Sequence, residues 1–324
     1  MSSYFDGKQS FLEPSVNQYG SHMVMTNVMK QTRHKLINID TKYREDNNLQ
    51  ATQTHINNKG HRSLASCNIQ LPQRITDVKS MMVRSAEIPM SLYNISESLG
   101  NNCIRISQIE SNEVFGVPII LIVPDGYYSA ASLIAKINEL LGLLEPESIF
   151  RTSITFSMNS YKHTRFVSIY TRFKIEFAIN SNGEADNTDL KNKLGWILGF
   201  RKSTYYFDTN ELLSEDAVMI HQNKYIYLAI DEFSKGNQQS FITPLHKSLI
   251  NKNVIAKIVL NDTVYPYGTI LPVNLSNGYL LADRREYNGK IDIQKLLVQL
   301  IDANGQIVDL NGADFSVTLD LEYE

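Results

Sequence analysis

A chain of 324 residues, 43% of them hydrophobic and 20% charged, can bury one large core or two smaller ones and has the balance of an ordinary globular protein. Its net charge of −3 gives no overall field to attract nucleic acid or an anionic membrane. Two cysteines, Cys67 and Cys103, are too few for a disulfide framework or a four-ligand zinc site and are expected as buried thiols.

The first residues lack the apolar core of a signal peptide, and no run reaches the length of a membrane span. Residues 1–34 are polar, Met-rich and aperiodic, and are expected to form an extended arm that orders against a neighbour. Residues 36–41 predict a short strand and 42–60 a polar loop. Strands are expected at 64–71 and 78–88, ended by Pro72 and Pro89, which cannot donate to a sheet ladder. A turn at 91–102 leads to strands at 103–109 and 117–123. Pro118, near the start of the second, points to a sheet edge or the beginning of a strand.

At 124 the pattern changes. A Pro-Asp-Gly turn precedes Ser129, a suitable N-cap, and Leu133, Ile134, Ile137, Leu140 and Leu141 form a stripe at helical spacing that Gly142 can end. Strands at 153–158, 165–170 and 173–179 and a short helix at 188–195 complete an expected α+β insertion over 124–200. The first part of a β-sandwich is then assigned to 35–123 and its remaining strands to 201–324. Within the latter, 217–220, 224–230 and 254–260 predict strands, and 236–244 and 261–288 loops. In the last strand Phe315, Val317, Leu319 and Leu321 alternate with Ser316, Thr318, Asp320 and Glu322, one apolar face against one polar face. Asn304-Gly305 and Asn311-Gly312 suit tight turns, so 291–324 is expected as a β-meander closing the sandwich. The fold expected is mainly β: a jelly-roll β-sandwich with a small α+β insertion and an extended N-terminal arm.

Phosphate-binding and dinucleotide glycine patterns, paired His-Glu zinc helices and Gly-x-Ser-x-Gly are absent from the sequence. The seven histidines never stand at ligand spacing. His163 and His221 could serve as catalytic groups, but nothing nearby in sequence would tune them. Asp302, Asn304, Asp309, Asn311 and Asp314 surround two Gly turns and could offer oxygen ligands to calcium. The same residues are those plain β-turns prefer, and the spacing of a full calcium loop is missing, so no metal or cofactor is expected. Asp283, Arg284, Arg285 and Glu286 read as a salt-bridge cluster on a loop, suited to setting register across an interface. Tyr205, Tyr206 and Phe207 read as packing or contact anchors, candidates for an interface, rather than base-stacking platforms, since no basic groove accompanies them.

Several stretches, taken in order, resemble a known group. They are Ile39-Asp40-Thr41-Lys42-Tyr43-Arg44-Glu45-Asp46, Ile88-Pro89-Met90-Ser91-Leu92-Tyr93-Asn94-Ile95 leading to Gly100-Asn101-Asn102, and Ile122-Val123-Pro124-Asp125-Gly126-Tyr127-Tyr128-Ser129. Leu194-Gly195-Trp196-Ile197-Leu198-Gly199-Phe200, Tyr225-Ile226-Tyr227-Leu228 and residues 300–321 complete the set. Together they resemble jelly-roll minor capsid and penton-type proteins of large and giant double-stranded DNA viruses and of related virophage and Polinton-like elements. The resemblance implies a capsid component of the virion, made in the host cytoplasm, that forms a homo-oligomer, such as a pentamer, and contacts the major capsid protein. The 124–200 unit exceeds a minimal single jelly roll. The rival function is a carbohydrate- or receptor-binding β-sandwich of a virion fibre, for which an exposed Tyr/Asn/Asp pocket is expected. An enzyme with a site spread over distant loops is a third.

Overall fold

The computed structural model describes residues 32–44, 65–110, 113–169, 172–207, 209–220, 224–233 and 253–324. The expected N-terminal arm lies outside these residues except for its last three, and so does His221. In chain order the strands are β1 (Arg33–Asp40), β2 (Ser66–Pro89), β3 (Cys103–Glu110), β4 (Glu113–Ile122) and, after helices α1 (Ala130–Gly142) and α2 (Phe150–Ser153), β5 (Ile154–Met158), β6 (His163–Ser168) and β7 (Phe173–Glu176). Helix α3 (Leu194–Ile197) precedes β8 (Thr204–Phe207), β9 (Glu211–Ala217), β10 (Tyr225–Asp231) and β11 (Val254–Val259). The chain ends with β12 (Ile270–Asn274), β13 (Leu280–Ala282), β14 (Arg285–Ile301) and β15 (Ser316–Tyr323). The protein is mainly β, and the pairings among these strands are antiparallel.

Two large apolar cores divide the described residues, beside a small cluster of Tyr227, Ala229, Val254 and Ile301. The first draws on residues 39–90 and 226–321 and belongs to one eight-stranded sheet of order β1-β15-β2-β14-β10-β11-β13, with β12 pairing the far end of β2. The three helices contribute nothing to this core, so among the described residues it is the sheet that covers its own apolar face. It does so by curling along its two longest strands, a sandwich of the kind expected for a jelly roll. β2 pairs with β14 from its start at Ser66 as far as Met81 and finishes between β15 and β12.

Pro72 lies inside β2 rather than ending a strand. Its surroundings explain why it is tolerated: opposite it, three residues of β14 (Ile293 to Lys295) face six of β2 (Ile75 to Gln70), a bulge that asks for no ladder N–H at this position. Loop 261–288 contains β12, β13 and the start of β14. The expected C-terminal meander does not form either. β15 pairs with β1 and β2, and β14 with β2 and β10, so β2 lies between the two strands expected to be neighbours. The connection between them is a crossover, with a small local turn where Ile301 bridges Ile307.

The second core runs from Ile95 to Ile220. A four-stranded sheet, β4-β3-β7-β8, and a three-stranded sheet, β5-β6-β9, pack with the helices around Phe156, Phe166, Phe173, Phe177 and Phe200. Residues 103–122, assigned from sequence to the first sandwich, therefore pair within this unit, and the unit is wider than 124–200. Strand periodicity shows that a segment is half-buried; it does not name the partner. Pro118 does stand on an edge strand, β4. Helix α1 begins at a Ser129 cap whose side chain accepts from the Ser132 N–H, completed as a capping box. Leu133, Ile134, Ile137 and Leu141 bury its apolar face.

Candidate functional site: a buried ion pair, a charged sheet face and sheet edges

Arg285 is the most constrained charged group in the fold. Strand alternation in β14 turns Arg285 and Tyr287 inward while Glu286 faces solvent. Its Nη1 donates to the Ile230 carbonyl and to Glu232 Oε2, both at 2.8 Å, and its Nη2 donates to the Asn253 carbonyl at 2.8 Å. Both side chains of the ion pair are fully buried. Arg285 thereby ties the end of β10 to the start of β11. Burial, followed by the charge of Glu232, pushes the Tyr287 hydroxyl well above the ordinary phenol range. The sequence reading of 283–286 as an exposed cluster thus changes at Arg285, which is not available to any partner. Two adjacent arginines look alike in sequence, and only the parity of the strand separates them.

The other members of the cluster lie outside. Asp283 and Glu286 are exposed, and Arg284 reaches Glu322, whose Oε2 also accepts from Ser80 Oγ at 3.1 Å. This pair belongs to a row. On β15 the outward acids Asp320 and Glu322, with Glu324 beyond them, each meet bases from elsewhere on the sheet. Asp320 pairs with His34 Nδ1 at 3.0 Å and accepts from Arg84 Nε at 2.9 Å, and these two partners leave it only 3% exposed. Glu324 meets Lys79 at 2.6 Å and also Lys290.

Burial pushes the Asp320 carboxyl up, but the hydrogen bonds of His34 and Arg84 outweigh it, so its pKa ends below the ordinary range. Lys290, then Lys79, bring Glu324 down to about 2. Depressed carboxylates contribute stability that is present above the unfolded value of about 4 and is lost as pH falls through the folded pKa. Melting temperature should therefore hold above roughly pH 5 and fall steeply between about pH 4 and 2. Asp320→Asn should flatten that slope while lowering the neutral-pH value. An unchanged slope in a pH series of melts would remove Asp320 from this role.

Tyr205, one of the expected packing or contact anchors, is a core residue. Its hydroxyl meets Glu215 Oε1 at 2.7 Å and accepts from the Arg201 and Lys202 N–H groups at 2.8 and 2.9 Å. Burial, followed by the Glu215 hydrogen bond, pushes its pKa up to about 12. Tyr206, one residue on, is 67% exposed beside Lys174, and Phe207 continues the same edge strand, β8. His163 places Nδ1 2.9 Å from the Ser214 carbonyl oxygen. The candidate calcium residues serve the chain itself. Asp302 Oδ1 accepts from the Asn304 and Gln306 N–H groups at 2.9 and 2.8 Å, and Asp309 Oδ1 from the Asn311 N–H at 2.7 Å. Asp314 accepts from Thr41 Oγ1 and Arg44 Nη2, both at 2.9 Å. Asn311 Nδ2 donates to the Ser91 carbonyl at 2.5 Å. Among the described residues no three His, Cys, Asp or Glu side chains gather to hold a metal ion.

A shallow polar cleft is lined by Glu97, Asp186, Asp189 and Lys193. Lys193 is nearly buried there and donates to Asp186 and, at 3.1 Å, to the Gly100 carbonyl. Hydrogen bonds from Lys193 and then Thr188 bring Asp186 down to about 2. Lys193 and Asp186 thus already answer one another. Apolar exposure lies instead along the sheet edges: Val117 (85%), Ile120 and Ile122 on β4, Ile270 on β12 and Leu36 (65%) on β1. β4 and β12 carry Pro118 and Pro272, which discourage strand addition at an edge; β1 has no proline along its eight residues. No helix among the described residues is long and apolar enough to cross a membrane.

No family model and no curated protein matches the chain. Among solved structures, that of a selenomethionine-labelled mavirus penton protein superimposes with a TM-score of 0.45 at 11% identity, covering 91% of this chain and 100% of that one. At this score the likeness is loose, and neither fold nor role is inferred from it.

Proposed function

We propose that this chain is a structural virion protein, a capsid component of penton or minor-capsid type that acts through assembly rather than chemistry. It would associate with itself, dock onto other capsid subunits including the major capsid protein, and reside in the virion. The observation that carries this reading is where the family-like segments fall. Two of them, 88–95 and 122–129, meet at the joint between the two cores. Ile95 and Gly126 exchange backbone hydrogen bonds of 3.2 and 2.9 Å, and the Asn94 side chain donates to the Tyr128 carbonyl and accepts from its N–H. The similarity thus lies on the architecture of a two-unit β protein and not on a cluster of reactive side chains.

The apolar residues on β1, β4 and β12 are suitable contact surface for neighbouring subunits. Sedimentation of the purified protein over rising concentration is expected to show a closed oligomer, and peptide mass spectrometry of purified particles is expected to find the chain. A protein that stays monomeric at high concentration and is missing from particles would defeat the proposal.

A further inference from the structure

The two β units have separate cores, and among the described residues no strand of one pairs with a strand of the other. The chain passes from the first to the second at 93–94 and returns after Ile220, so the chain connections alone would leave their mutual angle loosely defined. Among the described residues, one cluster of side chains spans the gap. Tyr127, just before α1 in the second unit, stacks on Tyr267 of the β11–β12 connection in the first, with centroids 5.1 Å apart and planes 18° from parallel. Tyr267 stacks in turn with Tyr93, at the first crossing, at 6.3 Å and 22°. The Tyr127 hydroxyl donates to Asp262 Oδ2 at 3.0 Å, again across the gap.

We propose that Tyr93, Tyr267 and Tyr127, with Asp262, form a clasp that fixes the angle between the two β units. Offset stacking of near-parallel rings resists both sliding and tilting, whereas an apolar contact without fixed geometry would not. The hydroxyl bond adds direction, because an acceptor and a donor on opposite units must keep their distance. Burial, together with Asp262, pushes the Tyr127 phenol up to about 12, so this donor keeps its proton throughout the neutral range. Tyr267 also lies beside a second tether. The Gly268 N–H donates to the Met90 carbonyl at 2.8 Å, fastening the base of the clasp to the end of β2. The rings remain partly exposed, so the clasp can open without unfolding either core. This inference is independent of the capsid proposal, since it concerns the chain by itself.

Small-angle scattering of the full chain tests it. Tyr127→Ala is expected to raise the radius of gyration above the parent's, which for a compact chain of this length is near ~20 Å, and to broaden the distance distribution. Tyr127→Phe, which keeps the stack and loses the hydroxyl, should give a smaller rise. The melting transition followed by the fluorescence of Trp196, the single tryptophan and a residue of the second unit, should stay where it is in both variants. Scattering identical to the parent's in Tyr127→Ala would overturn the clasp. A lowered Trp196 transition would do the same, by showing that Tyr127 serves the packing of its own unit.

Discussion

Arg285→Ala is expected to destabilise the first unit by about 3–5 kcal/mol, the usual cost of removing one partner from a buried ion pair. The size of the effect comes from what is left behind. Glu232 would keep a charge at zero exposure with no cation to answer it, the Ile230 carbonyl would lose the guanidinium donor, and the Asn253 carbonyl would keep only the Ile230 N–H. Glu232→Gln should cost less, because a neutral amide can still accept from the guanidinium. The double replacement Arg285→Met with Glu232→Leu should recover most of the loss, since it removes both desolvated charges together. Urea unfolding followed by far-UV circular dichroism measures these differences. Trp196 fluorescence, reporting on the other unit, should be unaffected by Arg285→Ala. A variant that unfolds like the parent would show that the pair does not hold β10 to β11.

Arg285 also marks the boundary of what could be read from sequence. Local periodicity found α1 with its cap and its four buried residues, because a helix makes its contacts within one turn of itself. It also found the apolar face of β15, where Phe315, Val317, Leu319 and Leu321 are buried. It could not show that β2 lies between β14 and β15, since hydrogen-bond partners in a sheet are distant in the chain and leave no local trace. Pro72 misled for a related reason: a proline is excluded only where a ladder N–H is required, and the bulge in β14's register removes that requirement. Tyr-Tyr-Phe suits packing and surface contact alike, and β8, at four residues, is too short to declare by alternation that Tyr205 is the one turned inward. Asp320 shows the converse. It sits on the outward face as its position predicts, yet His34 and Arg84 cover it, and no pattern within β15 foretells them. Ordinary side-chain chemistry was legible; the strands that deliver its partners were not.

Gly199→Ala is expected to be the most damaging single-methyl change in the second unit. Gly199 follows α3 with φ at +94°, closing the helix in a Schellman arrangement: its N–H donates to the Trp196 carbonyl at 3.1 Å and the Phe200 N–H donates to the Gly195 carbonyl at 2.8 Å. Left-handed backbone alone costs an alanine about 1–2 kcal/mol. Here a Cβ would also stand 2.0 Å from the Asp216 carbonyl oxygen and 2.9 Å from Ser214 Oγ, on β9. The nearer obstacle is backbone, and it cannot swing aside without breaking the 3.0 Å bond from the Asp216 N–H to the Gly199 carbonyl. The combined loss should exceed about 3 kcal/mol, as for overpacking at a site that cannot relax. Gly268→Ala supplies the comparison. Its φ is +87° and a Cβ there meets open space, so only the conformational cost of about 1–2 kcal/mol should appear. Trp196, three residues from Gly199, reads the first variant directly, and far-UV circular dichroism reads the second. Equal losses at the two glycines would mean that β9 yields to the added methyl, and that the close approach of Gly199 to Asp216 does not fix α3 against the three-stranded sheet.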